Sequence, residues 1–119
     1  MNNSLTQRLE TAPVVPLVQA DDQATAIATT EALLAGGLSV VEVVLRTDKA
    51  LSCLEAAAHR VATAIVGAGT VLTANQAKSV VAAGAAFIVS PGLDEGVIKV
   101  AQQAGIPVFP GIATASELQ

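Results

Sequence analysis

The sequence predicts an α/β protein built on a parallel sheet. Three observations carry that expectation. Short β-branched runs alternate with longer segments that carry helix-capping residues. The runs begin near residues 14, 38, 64, 87 and 107, a period of about 20–26 residues, which is the size of one βα unit. Hydrophobic residues make up 52% of the chain and charged residues 13%, and a parallel sheet buried on both faces accounts for that apolarity.

The elements follow in order. Residues 2–11 read as a short polar helix whose Leu5 and Leu9 share one face. VVPLVQ (14–19) reads as a strand, with Pro16 marking an edge or special position. Asp21 and Asp22 suit a helix N-terminus, and the helix that follows places Ala24, Ile27, Ala28 and Leu34 roughly on one stripe. Gly36 and Gly37 end it. LSVVEVVLRT (38–47) is the next strand, and DKALSCLEAAAHRV (48–61) a helix with Asp48 as N-cap. AIVGAGTV (64–71) is a glycine-broken strand and loop. TANQAKSVVAAGA (73–85) is a helix capped by Thr73 and stopped by Gly84. FIVSPG (87–92) is a strand and turn, LDEGVIKVAQQAGI (93–106) a helix ending at Gly105, and PVFPGI (107–112) a strand and turn. TASELQ (114–119) begins one more helix, with Thr114 and Glu117 in capping-box spacing.

Composition excludes several functional classes. Cys53 is the single cysteine, so there is no disulfide framework, and one free thiol fits a reducing compartment. The net charge is −4 and no Lys or Arg cluster occurs, which argues against nucleic acid or an anionic membrane as partner. Mean hydropathy is high at +0.60. No run approaches the roughly 20 apolar residues of a membrane span, and the first ten residues have no apolar segment of a secretory signal. A cytoplasmic protein is expected.

No linker or internal boundary is visible, so residues 1–119 are expected to form one domain: a helix, then βα units from residue 13 onward. Two architectures take five such units. One is a doubly wound, flavodoxin-type sheet. The other is part of a TIM-type (βα)8 barrel, which needs at least about 200 residues. The last residues begin a capped helix, which favours an incomplete barrel of about five strands with its C-terminal strands missing.

Glu42 is the most informative residue, because it interrupts the apolar strand VVEVV. A carboxylate there is costly to bury unless paired or functional. Alternation puts Glu42, Val44 and Arg46 on one face and Val41, Val43 and Leu45 on the other. A packing-only Glu42–Arg46 pair is the plainer alternative, but Cα atoms four residues apart along a strand lie on the order of 13 Å from each other. A substrate carboxylate or a water would bridge that distance. In GAGT (67–70) two glycines let the backbone approach a ligand, and Thr70 offers a hydroxyl; the string is neither a phosphate loop nor GxGxxG. SPG (90–92) and FPG (109–111) are matching strand-end turns, with Ser90 a possible donor. His59, late in a helix, reads as a surface residue and Cys53 as a core filler. With one His and one Cys, a zinc site is not expected. Lys49, Lys78 and Lys99 all fall in predicted helices, where lysines are usually solvated.

Taken together, PVVPLV, GGLSVVEVVLRT, IVGAGTVL, FIVSPGLDE and IPVFPGIATASEL resemble the first half of the KDPG/KHG aldolases, over about residues 13–119. The resemblance implies a class I aldolase on a (βα)8 barrel, a homotrimer without metal or other cofactor. Such an enzyme cleaves a keto-deoxy sugar acid, or 4-hydroxy-2-oxoglutarate, to pyruvate and an aldehyde. A lysine forms a Schiff base with the ketone, the imine accepts the electrons of the breaking C–C bond, and a glutamate moves protons. Carried over by motif, Glu42 is that glutamate, Arg46 binds the pyruvate carboxylate, Thr70 lines the pyruvate pocket and Pro91 packs beside it. The resemblance also implies that the Schiff-base lysine belongs to a sixth strand. None of Lys49, Lys78 and Lys99 matches it, so this chain is expected to be inactive alone. The alternatives are a flavodoxin-like binding module and a non-catalytic half-barrel that self-associates.

Overall fold

The five apolar runs form one sheet in which every strand pairs, in parallel, with the next in sequence. A computed structural model describes residues 3–118, with side chains from Leu5 onward. The elements are α1 (Asn3–Thr11), β1 (Leu17–Val18), α2 (Gln23–Ala35), β2 (Val40–Val44), α3 (Ala50–Arg60), β3 (Ile65–Gly69), α4 (Ala74–Ala82), β4 (Ile88–Ser90), α5 (Glu95–Ala104) and β5 (Val108–Pro110). A single 3₁₀ turn, Ser116–Leu118, follows. The strand order is β1-β2-β3-β4-β5. A flavodoxin-type sheet would run 2-1-3-4-5. Sequential order is that of a barrel wall, so the flavodoxin alternative is set aside. Among the described residues no helix is long and apolar enough to cross a membrane.

Alternation sorts the strand residues between two layers. The outward set, including Val18, Val41, Val43, Val66, Ala68 and Ile88, packs on Ala26 of α2, Cys53, Leu54 and Ala57 of α3, Ala77 and Val80 of α4, and Val97 and Ala101 of α5. The inward set is smaller. Val40, Ile65 and Phe87 pack on Leu5, with Leu9 and Val15 beside them. The amphipathic α1 therefore closes the inner face at the N-terminal ends of the strands, as its Leu5/Leu9 spacing predicts. Asn2 and Gln119, expected in the first and last helices, lie outside the described residues.

Local signals placed most helix ends. Asp22 accepts from the Thr25 backbone N–H at 2.7 Å, Thr73 from Gln76 at 3.1 Å, and Asp94 from Val97 at 2.9 Å. Gly37 and Gly84 have φ of 97° and 98°, and Gly105 ends α5 at φ 72°.

Four expectations need correction. The strand expected over 14–19 narrows to Leu17–Val18, because the prolines before it have no N–H; Pro16 contributes only a carbonyl, which accepts from Glu42 N at 3.0 Å. In α2 the buried residues are Ala26 and Thr30, whereas Ala24 and Ala28 are exposed. That helix is apolar on every side, so its pattern selects no face, and Thr30 is buried because its hydroxyl donates to Ala26 O at 2.8 Å. Asp48 lies one residue too early to cap α3, which has Lys49 at the cap with no side-chain bond. The last segment is a single 3₁₀ turn, and only half of its capping box forms: Glu117 Oε1 accepts from the Thr114 backbone N–H at 3.1 Å. The Thr114 hydroxyl donates to the same oxygen at 2.8 Å and so caps no backbone N–H.

Candidate functional site

The inner face carries one acidic side chain among apolar ones. Glu42 stands at the middle of β2, nine per cent exposed, between the inward Val40 and Val44. Val41 and Val43 face the helices, with Leu45 packed beside them, as alternation requires. Nothing among the described residues hydrogen-bonds or ion-pairs with the Glu42 carboxylate. Burial pushes its pKa above the ordinary 4.5, and the charge of Arg46 opposes that only partly. Arg46 is exposed, two residues beyond the end of β2, in a turn where its N–H donates to Val44 O at 2.9 Å. The packing-only ion pair is therefore not formed. The arginine is near enough to act electrostatically and free to meet a ligand.

Beneath Glu42 lies a cavity of about 180 Å³, walled by Leu5, Leu9, Val40, Phe87 and Phe109, in which Glu42 is the sole charged group among the described residues. Phe87 and Phe109 meet edge to face, with ring centroids 6.0 Å apart. A second hollow, of about 300 Å³, opens between α3 and α4 and is lined by Thr47, Asp48, Asn75 and Gln76. It is the roomier of the two, but it lies on the helix side and contains no part of Glu42.

Thr70 follows β3 directly. Its φ is 59°, and it is the one non-glycine residue among the described residues in the left-handed region. A β-branched residue there is strained by roughly 1–3 kcal/mol, and such strain gathers at functional sites. The Thr70 side chain is half-buried, and its hydroxyl has no partner among the described residues. Sequence reasoning found the hydroxyl and missed the strain. The glycines before it also do something other than expected. The space they leave is filled by the protein itself: Glu42 lies over Gly69, and the Phe87 ring over Gly67.

Pro91 is exposed after β4, in a hollow that it shares with Val71 and Leu72, the two residues after Thr70. The remaining candidates lie apart from Glu42. Ser90 is buried with its hydroxyl donating to Gly92 O at 2.8 Å, so it is not the ligand donor considered from sequence. Lys49, Lys78 and Lys99 are exposed, Lys49 at the cap of α3 and the others on α4 and α5. His59 is exposed on the last turn of α3, with Nδ1 2.8 Å from Glu55 O. Cys53 is buried, and burial pushes its thiol pKa up, which suits an inert core filler. Among the described residues no three His, Cys, Asp or Glu side chains come together as a metal site.

Comparison with known proteins gives a consistent answer. The family model for KDPG and KHG aldolase matches residues 5–119. The KHG/KDPG aldolase of Escherichia coli (strain K12) is 48% identical over 110 residues, which are 92% of this chain and 52% of that protein. The 2-dehydro-3-deoxy-phosphogluconate aldolase of Zymomonas mobilis is 46% identical over 109 residues, 90% of this chain and 51% of that protein. A crystal structure of KDPG aldolase from Legionella pneumophila, with pyruvate captured as a covalent carbinolamine, superposes with a TM-score of 0.85 at 40% identity. It covers 93% of this chain and 54% of that one. The chain thus spans about half the length of the relatives it matches, and its five strands correspond to part of their barrel.

Proposed function

The chain belongs to the KDPG and KHG aldolase family, and from that premise we propose that it carries the proton-transfer and carboxylate-binding part of a pyruvate-forming aldolase site. The carrying observation is Glu42: a buried carboxylate without a partner, on the inner face of the sheet, held above its ordinary pKa by burial. Aldol cleavage needs one group that removes the proton of the hydroxyl at the breaking bond and later returns a proton to the enamine carbon. A carboxyl that titrates closer to neutrality does both more readily than an exposed one. Arg46 is the clamp for the pyruvate carboxylate, because its guanidinium is exposed and not ion-paired with Glu42. Thr70 lines the pyruvate pocket with its unpartnered hydroxyl, and Pro91 packs beside it.

In this reading the imine-forming lysine is not among Lys49, Lys78 and Lys99, since all three are exposed on the helical layer. The 119-residue chain therefore binds pyruvate but forms no imine with it. Mass spectrometry after pyruvate and borohydride is the first test. An unmodified mass is expected, and a reduced pyruvate adduct would mean that one of the three helical lysines is the nucleophile. In a chain that does form the imine, Glu42→Gln is expected to lower turnover by on the order of 10²–10⁴-fold with adduct formation intact. Unchanged turnover removes Glu42 from the mechanism. A homotrimer in the cytoplasm completes the proposal, and sedimentation of the purified protein checks the assembly state.

A further inference from the structure

We propose that Gly69 is a positioning residue: its missing side chain is the seat over which Glu42 leans to reach the C-terminal rim of the sheet. This rests on the reading of Glu42 as the proton-carrying group. The strand register makes the need for a seat plain. Glu42 stands level with Gly67 on β3, and it is Val44 that stands level with Gly69. Yet a Cβ at Gly69 would lie 1.8 Å from Glu42 Oε2, 2.5 Å from Cδ and 2.8 Å from Cγ. The carboxylate thus leans along the sheet from its own level, beside Gly67, to lie over Gly69, towards the strand C-termini. That is the end at which parallel barrels hold their chemistry.

Backbone conformation does not explain a glycine here. Gly69 is not among the glycines with positive φ, and the three atoms nearest to such a Cβ all belong to Glu42. Gly67 makes the contrast. A Cβ there would come within 2.4 Å of three atoms of the Phe87 ring. Phe87 is two per cent exposed, packed with Leu5 and edge to face with Phe109, so any movement of the ring disturbs the inner core. Glu42 ends in a flexible side chain. Gly69→Ala is therefore expected to displace a carboxylate, whereas Gly67→Ala strikes the core.

The test follows the carboxyl carbon of Glu42 by ¹³C NMR through an acid-to-neutral titration of the 119-residue chain. Gly69→Ala pushes the carboxylate off β3 into more solvent. Its midpoint is expected to fall towards the ordinary glutamate value. Gly36→Ala, where a Cβ would make only ordinary contacts at 3.5 and 3.6 Å, is expected to leave the midpoint where it is. A folded Gly69→Ala protein with an unmoved Glu42 midpoint overturns the proposal. Should Gly69→Ala unfold the chain, the Glu42→Ala/Gly69→Ala double variant decides. Recovery of the fold supports the seat, because the clashing atoms are gone, and continued unfolding overturns it. Neither readout needs turnover. A catalytically competent chain that tolerates Glu42→Gln would defeat the functional reading and leave the seat intact.

Discussion

The ends of β3 and β4 look alike in sequence and are built for opposite purposes. Each is a strand leaving through small residues and a hydroxyl: Gly-Ala-Gly-Thr in one case, Ser-Pro-Gly in the other. At β4 the Ser90 hydroxyl and carbonyl are both engaged. Ser90 Oγ donates to Gly92 O at 2.8 Å, Gly111 N donates to Ser90 O at 2.8 Å, and Gly111 passes so close that a Cβ there would lie 2.3 Å from Pro91 O. At β3 the Thr70 hydroxyl has no partner among the described residues, the backbone is left-handed, and the neighbouring space holds an unpaired carboxylate. A satisfied turn holds the fold together. An unsatisfied, strained one persists only because its surroundings enforce it, and it is the better candidate for binding.

The comparison breaks most easily at Gly111. Its obstacle is a backbone carbonyl, which cannot swing aside as a carboxylate does. Gly111→Ala is expected to lower stability by about 1–3 kcal/mol in a denaturant titration, and a neutral result would mean that the exits of β4 and β5 are not locked together. Ser90→Ala comes next. It removes one buried hydrogen bond and is expected to lower stability by about 1 kcal/mol without altering pyruvate binding. Weaker pyruvate binding in that variant would add Ser90 itself to the site.

Glu42 predicts a pH signature. Its folded pKa lies above the unfolded value, so folding favours the protonated form. That contribution is complete below the unfolded pKa, near 4.5, and is lost as pH rises through the folded value. Glu42→Gln is expected to flatten this loss between mildly acidic and neutral pH. An identical pH–stability curve for the variant would show the carboxyl to be better solvated than its burial implies.

What could be read from sequence was what depends on near neighbours. Apolar runs separated by caps gave the α/β alternation, because Asp22, Thr73 and Gly105 act within one helical turn. Glu42 was conspicuous because a lone carboxylate in VVEVV contradicts its surroundings. The failures share a different cause. The buried face of α2 is chosen by its neighbours, since alanines and leucines surround that helix. The roles of Gly67 and Gly69 depend on side chains from β4 and β2, which only the sheet register brings over them. Ser90 looked like a donor to a ligand because its acceptor, Gly92 O, depends on how the turn folds back.

The smallest expected change in stability belongs to Thr70, and it is the sharpest test of the comparison. Thr70→Val keeps the branched shape and loses only a hydroxyl that bonds to nothing among the described residues. Stability is expected to stay within about 0.5 kcal/mol, while pyruvate binding weakens by roughly 2–10-fold, the worth of one neutral hydrogen bond. Thr70→Gly removes the left-handed strain of roughly 1–3 kcal/mol, and the freer unfolded chain takes back about 0.5–1 kcal/mol. That variant is therefore expected to be as stable as the parent or more so, and still to bind pyruvate more weakly. If Thr70→Gly instead loses more stability than Ser90→Ala, the hydroxyl at the β3 end is holding the fold, and the contrast between the two turns disappears.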